Sequence, residues 1–475
     1  MACLVCLLAA CSTPLPYRVA APLPDVQQRR QARSLEDPAL RAVLARAGLT
    51  MPSPGADWPA ATLALAAGWA SPEVAVAEAR WHQALAQARA TAVAPPGLLD
   101  LALAYHSALD GVRPSPWALG FGFEFTLPDA VRRGARLAIS DTEVDEARLA
   151  VADTGWTVRQ ATLRACLAVQ AARAQRVALV WQQQLAAVLQ GLQARRLAVD
   201  VASPAEGRDA DVALAETQAA LDQAQQEEIQ AMASLRDRLG LAPEYRVPLA
   251  LEALPSAPAA GPDSLAALLA AWMGSLRSAL VDDLGSPASG GAAPLGRLAL
   301  DNRLDLRQAE ARYRRSDAAL RLAVAQQYPE WSLHPGYEWD QGDHLLRLGL
   351  ALPLALPQAH GAAVALAEAE RTQAGEQLLA MQQAILTGVE QAGLALAGAR
   401  QRQRDCNGLL QRRLTQVERL EMGRHAGQSD ALESVQAALA LLPLQQQCRD
   451  ARAQVALAQW SLEQQVQQPI AGEAP

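Results

Sequence analysis

The sequence predicts a mainly α protein with a small membrane β-part, built as two copies of a strand–strand–long helix–turn–helix unit. Three observations carry this. Two stretches alternate apolar with small or polar residues at period two, the side-chain period of a strand. Each is followed by some seventy residues of helical periodicity. Short motifs of the first half return in the second at a nearly constant offset, which marks two copies of one unit.

The first strand pair lies in residues 97–128. Leu99, Leu101, Leu103 and Tyr105 alternate with Asp100, Ala102, Ala104 and His106. After a polar turn, Trp117, Leu119, Phe121, Phe123, Phe125 and Leu127 share one face, and Ala118, Gly120, Gly122, Glu124 and Thr126 the other. All 3 Phe of the protein sit on that one face. A soluble sandwich can produce the same alternation. The strand length and the aromatics at strand ends fit a lipid-facing barrel strand.

Aromatic residues make up only 4% of the 475 residues, while Ala, Leu, Gln, Arg and Glu dominate, a composition of long helices and coiled coils. Every basic residue is Arg, and the net charge of −7 leaves no nucleic-acid footprint. No run of 18 apolar residues occurs, so no helical membrane span is expected.

Residues 1–10 are apolar and lead into Cys11-Ser12, which resembles a bacterial lipoprotein signal whose Cys is lipidated after cleavage. The segment is short and lacks a basic residue ahead of its apolar core. A globular start that happens to contain Cys is the alternative. The Pro-rich residues 13–24 read as a tether.

The expected organisation is a signal at 1–10 and a lipid-anchored tether with a short helix at 11–57. Repeat one is 58–241, with its strand pair at 98–128 and a helical-hairpin tip at 200–211. A Pro/Gly/Ser-rich connector at 242–300 carries one amphipathic helix. Repeat two is 301–467, with its strand pair at 330–357 and a tip at 423–430, and a tail follows at 468–475. Ala77-Glu-Ala-Arg-Trp81 returns as Ala309-Glu-Ala-Arg-Tyr313, Tyr105 returns as Tyr337, and Leu127-Pro128 returns as Leu356-Pro357. In the second pair Trp331, Leu333, Tyr337 and Trp339 share a face, as do Leu346, Leu348, Leu350, Leu352, Leu354 and Leu356. Seventy helical residues measure about 105 Å, a rod that needs lateral partners.

Four strands cannot close a membrane barrel, and open edges in lipid leave amides unpaired. If these strands are in a membrane, other subunits complete the barrel, with two chains giving eight strands and three giving twelve.

The order of these parts resembles the TolC family of outer-membrane channels over roughly residues 58–466. Asn302-Arg-Leu-Asp-Leu-Arg-Gln-Ala-Glu-Ala-Arg312 is similar to that family's NRPDLRQAEAR helix start, with Leu304 in place of Pro. Leu352-Pro-Leu-Ala-Leu-Pro357 with His360-Gly361 is similar to its strand-to-helix corner. Arg419-x-x-x-Gly423 followed by Ser429-Asp430-Ala431-Leu432 is similar to its helical tip. Leu127-Pro128 with Arg132-Arg133-Gly134 resembles the heavy-metal efflux branch. The resemblance implies a homotrimer, a 12-stranded β-barrel continued by an α-helical barrel, in the outer membrane and its lipid. It also implies a passive exit duct working with a periplasmic adaptor and an inner-membrane pump. A periplasmic coiled-coil adaptor or scaffold lipoprotein is the competing class, and it would lack the two matched strand pairs.

No catalytic grouping, phosphate loop, cofactor motif or metal spacing is present, and His82, His106, His334, His344, His360 and His425 are scattered. The family tip maps onto Arg419, Gly423, Gly427, Ser429 and Asp430 as candidate adaptor contact and pore tip. Asp209 and Asp211 of the first tip join them. Ordinary capped turns would use the same residues, with Ser429 as N-cap and Gly423 or Gly427 as helix terminator. Trp117, Phe121, Phe123, Phe125, Trp331, Tyr337 and Trp339 are the candidate lipid-facing residues. Of the 6 Cys, Cys406 and Cys448 flank Gly427 symmetrically, which opposes them in an antiparallel hairpin and makes them a candidate disulfide. Two separately buried thiols are the alternative.

Overall fold

A computed structural model of the chain describes residues 25–53, 55–93, 97–107, 115–127, 129–250, 265–281, 292–352 and 357–469. The signal segment, Cys11, Leu354 and Leu356 lie outside the described residues.

The chain opens with two short helices, α1 (Val26–Ala32) and α2 (Pro38–Arg46). The sequence reading placed only the second; the first is capped by Asp25, whose carboxylate accepts from Gln27 N–H. Helices α3 (Ala60–Ala70) and α4 (Pro72–Ala92) meet at Ser71, which caps α4, with Pro72 in its first turn. Strands β1 (Leu98–Tyr105) and β2 (Trp117–Thr126) follow. The rod α5 (Ala130–Ala198) is 69 residues long and returns as α6 (Pro204–Arg238), 35 residues.

In the connector lie α7 (Leu265–Val281) and α8 (Ala292–Asn302). The sequence reading had one helix there; α8 begins beside Gly-rich chain, with Pro294 in its first turn, a composition that reads as loop. Repeat two then runs α9 (Leu304–Ala325), β3 (Ser332–Asp340), β4 (Asp343–Ala351), α10 (Pro357–His425) and α11 (Ala431–Val466). Its rods have 69 and 36 residues, so the two repeats match in length almost residue for residue. Each 69-residue helix is about 104 Å long.

The strands form one antiparallel sheet in the order β1-β2-β3-β4, so the two hairpins join edge to edge through β2 and β3. The rods pack as two hairpins, α5 with α6 and α10 with α11, and α5 also runs beside α9 and α4. One apolar core holds the amino-terminal segment against the middle of the first hairpin, through Leu40, Leu44, Trp58, Leu63, Val169, Leu235 and Leu249. A second lies where α7 buries Leu268, Leu269, Trp272 and Leu276 against both hairpins, on Trp181 and Leu185 of α5 and Leu414 and Leu441 of the second hairpin. The connector helix therefore bridges the two arms, and Arg277 adds a 2.6 Å contact to Glu418.

Candidate functional site

The sheet register sorts the side chains into two faces. Leu101 opposes Phe121, Phe121 opposes Tyr337, and Tyr337 opposes Leu346, so one row crosses all four strands on a single face. The next row is Leu103, Leu119, Trp339 and His344. This face is apolar and exposed: Leu346 is 87% and Leu348 76% accessible in the single chain. Aromatic contacts knit it, with Tyr105 and Trp117 at 4.9 Å and Phe121 and Tyr337 at 5.5 Å between centroids. Trp331 lies one residue before β3 rather than inside it, and is exposed.

The opposite face carries small and ionisable residues. Gly122 opposes Gly336, and Asp100 opposes Gly122. Glu338 pairs with Arg347, His106 lies 3.2 Å from Asp340, and His334 lies 3.7 Å from Glu124. Leu345 falls on this face as an apolar exception. Two-sided sheets with a greasy exterior and a small, charged interior are what a water-filled barrel needs.

The strand-to-helix corner of repeat one and the helix-to-strand corner of repeat two converge on Arg132. Asp129 caps α5, accepting from Val131 and Arg132 N–H, so Arg132 sits in the first turn. Its guanidinium is 2.5 Å from Glu330, donates to Ala325 O at 3.2 Å and to Tyr328 O, and the residue is 6% exposed. A buried Arg is tolerated because every contact is to a charge or a carbonyl. In the sequence Arg132 stands out only as part of the Leu127-Pro128, Arg132-Arg133-Gly134 motif. Its partners lie some 200 residues away, which local pattern does not reveal.

The first tip is shorter than expected. Ser203 caps α6 by accepting from Glu206 N–H at 3.3 Å, and Pro204 occupies the first helical position. The turn is therefore 199–203, not 200–211, and Asp209 and Asp211 lie inside α6. Pro204 and Gly207 read as breakers, but Pro at the first helical position starts a helix. Asp211 accepts from Gln190 Nε2 at 2.8 Å and so fastens α6 to α5, while Asp209 is exposed.

The second tip differs from expectation in two respects. Gly423 is still helical, and the N-cap of α11 is Asp430, not Ser429. The helix ends in a Schellman motif: Gly427 takes φ +72°, its N–H reaches Arg424 O at 3.0 Å, and Gln428 N–H reaches Gly423 O at 2.7 Å. Asp430 makes no capping bond and turns its carboxylate to Arg196 of the first tip, at 3.3 Å. Arg419 is exposed, one turn before Gly423. Exposed apolar residues stud both tips: Val199 and Val201 on the first, Met422 on the second.

Above the second tip Cys406 and Cys448 are joined, with Cα atoms 5.4 Å apart. They lie at the edge of the core that α7 shares with both hairpins. Cys166 is buried in the first core as a free thiol, and burial pushes its pKa up to about 12. Among the described residues no group of three or more His, Cys, Asp or Glu is arranged to hold a metal ion.

The chain thus presents a single exposed apolar sheet face with open edges, set on paired rods about 100 Å long. Several solved structures share the fold. CusC, described for transmembrane channel formation, aligns at TM-score 0.63 and 17% identity, over 86% of this chain and 91% of that one. The outer membrane protein VceC from Vibrio cholerae aligns at 0.64 and 16%, over 86% and 96%. The outer-membrane channel OprN aligns at 0.64 and 17%, over 96% and 99%. Residues 295–466 match the family model for outer membrane efflux proteins. No curated protein sequence matches the chain.

Proposed function

We propose that this chain is the outer-membrane channel of a tripartite efflux system. Three copies close a twelve-stranded barrel, and their rods form a tube across the periplasm. The channel is a passive exit duct for substrates delivered by an inner-membrane pump and a periplasmic adaptor, and it performs no catalysis. The observation that carries this reading is the four-stranded sheet with one exposed apolar face and two unpaired edges. Such a sheet alone in lipid would leave edge amides unpaired at several kcal/mol each.

In this reading Trp117, Phe121, Phe123, Phe125, Trp331, Tyr337 and Trp339 face lipid or its boundary. The tip residues Arg419, Gly423, Gly427, Ser429 and Asp430 meet the adaptor, with Val199 and Val201 as the apolar part of that surface. Cys11 carries a lipid that holds the amino terminus at the membrane.

The test is native mass measurement on detergent-purified protein, followed by conductance in planar bilayers. A trimer that forms discrete pores supports the reading. A stable monomer that forms none overturns it. Intact mass with unprocessed Met1 would remove the lipid anchor while leaving the channel in place.

A further inference from the structure

The internal repeat specifies how one copy of the chain pairs with the next. We propose that β4 of one subunit adds to β1 of its neighbour in a single register, with Leu350 opposite Tyr105 of the neighbouring copy. This rests on the trimeric channel reading and deepens it.

The two hairpins share one pairing scheme. In the first, Tyr105 opposes Trp117, Leu103 opposes Leu119 and Leu101 opposes Phe121. In the second, Tyr337 opposes Leu346, Pro335 opposes Leu348 and Leu333 opposes Leu350. Moving β1 onto β3 by the 232 residues that separate Tyr105 from Tyr337 places every pair correctly. It does so only if β2 moves onto β4 by 229 residues. Those are also the offsets of the two helical motifs and of the Leu-Pro corners. Pairing geometry and sequence thus agree on which residues of the two repeats are equivalent.

Inside one chain, repeat one meets repeat two through β2 and β3, where Phe121 opposes Tyr337. Going round a closed ring, the next junction is repeat two of one copy with repeat one of the next. The equivalent of β2 is then β4, and the equivalent of β3 is β1. Phe121 with Tyr337 becomes Leu350 with Tyr105, and Leu352 with Leu103 follows on the same ladder. The pairing is antiparallel, as in the template.

Two further observations agree. The register keeps Leu350 and Tyr105 on the same apolar face, which any slip by one residue would break. The internal ladder also breaks at Phe123 with Pro335 and at Glu124 with His334, and Pro335 has no N–H to give. The residue equivalent to Pro335 in β1 is Leu103, which has one. The junction between copies can therefore make a bond that the junction within a copy lacks. Slips by two residues preserve the face, so only the repeat distinguishes them from the register proposed.

The experiment is oxidative cross-linking of full-length protein in membranes, using paired Cys substitutions. Tyr105 and Leu350 lie on opposite edges of one sheet, about 14 Å apart across three strand spacings and about 27 Å apart along the strands, too far for a bond within a chain. Y105C with L350C is expected to give covalent dimers and trimers on non-reducing gels. L103C with L352C is expected to give the same, and it serves if the first pair inserts poorly. Y105C with L348C, or with L352C, is expected to give about tenfold less product. More product from either slipped pair overturns the register while leaving the channel intact, as does a native trimer in which no pair cross-links. Dimers from Y105C alone would mean that β1 pairs with β1, which overturns the ring order. A monomer by native mass with no cross-linking overturns both this register and the channel reading.

Discussion

Arg196, near the end of α5, lies 3.3 Å from Asp430, the residue that opens α11, so the two tips of one chain are tied together. Asp430 gives up its capping role to make this contact. The pair is partly exposed, and such pairs contribute only about 0–1 kcal/mol to stability. Its importance is positional, because it sits where the two hairpins can separate. Asp430→Asn and Arg196→Ala are each expected to leave the melting temperature nearly unchanged and to raise single-channel conductance or opening frequency. Wild-type conductance in both variants would show that the contact does not restrain the tips.

The sheet faces give a contrast between neighbours. Phe123 is on the exposed apolar face and Gly122 on the face of small and charged residues. Arg at position 123 is expected to impair insertion by about 2–4 kcal/mol if it lies near the bilayer midplane. Arg at position 122 is expected to insert more readily and to reduce conductance. Equal membrane-fraction yields for F123R and G122R would contradict the assignment of faces.

These faces could be read from sequence because period two is a local property, and both hairpins turned out to place Leu103 and Leu119, or Leu333 and Leu350, opposite each other. The long rods could be read for the same reason. Contacts between repeats could not. Arg132 with Glu330, and Arg196 with Asp430, join residues about 200 and 234 apart, and nothing near Arg132 in sequence marks it as buried. The tip boundaries were misplaced by composition. Pro204 looked like a break and is a helix start, and Gly423 looked like a terminator and is one turn short of it.

Cys406 and Cys448 join the arms of the second hairpin across a sequence separation of 42. In α11 this cross-link lies five residues from Pro443, which removes one helical hydrogen bond. The chain-entropy model gives about 4 kcal/mol for a loop of this size, an upper figure because neighbouring helices already hold the reduced hairpin. C406S with C448S is expected to lower the melting temperature and to increase protease nicking between residues 423 and 430. Thiol counting on denatured, unreduced protein is expected to find Cys166 alone in a processed chain. Three free thiols would show that the bond does not form in the exported protein.

Asp305 opens α9 in the grip of Arg303, whose Nε donates to one carboxylate oxygen at 2.9 Å and whose Nη2 is 2.5 Å from the other. Burial raises its pKa, but the hydrogen bonds and charge of Arg303, with the Leu306 N–H, outweigh that and leave it below the ordinary value. The folded-state value is depressed, so the ionised carboxylate stabilises the fold above the unfolded value of about 3.9. That contribution is lost as pH falls through the folded value. Thermal melts of wild type and D305N are expected to differ most near neutral pH and to converge below about pH 4. A gap that stays constant down to about pH 3 would rule out this linkage.

The two glycines of the second tip are needed for different reasons, and one substitution separates them. Gly427 takes φ +72°, the left-handed region, with open space where a Cβ would stand. Gly427→Ala is strained by its backbone alone, at about 1 kcal/mol, and no neighbour can relieve that. Gly423 is helical, and a Cβ on it would come 2.6 Å from Ser429 Oγ. Gly423→Ala therefore forces the Ser429 side chain or the returning chain to move. As a helix-interior change it otherwise gains about 1 kcal/mol. Ser429→Ala removes the hydroxyl that the new methyl would meet. G423A with S429A is expected to be at least as stable as wild type, while G427A with S429A keeps the full cost of G427A. Circular-dichroism melts and tip proteolysis of the four variants read both outcomes. If S429A rescued both glycine variants equally, the tip would not have the Schellman geometry that sets its turn.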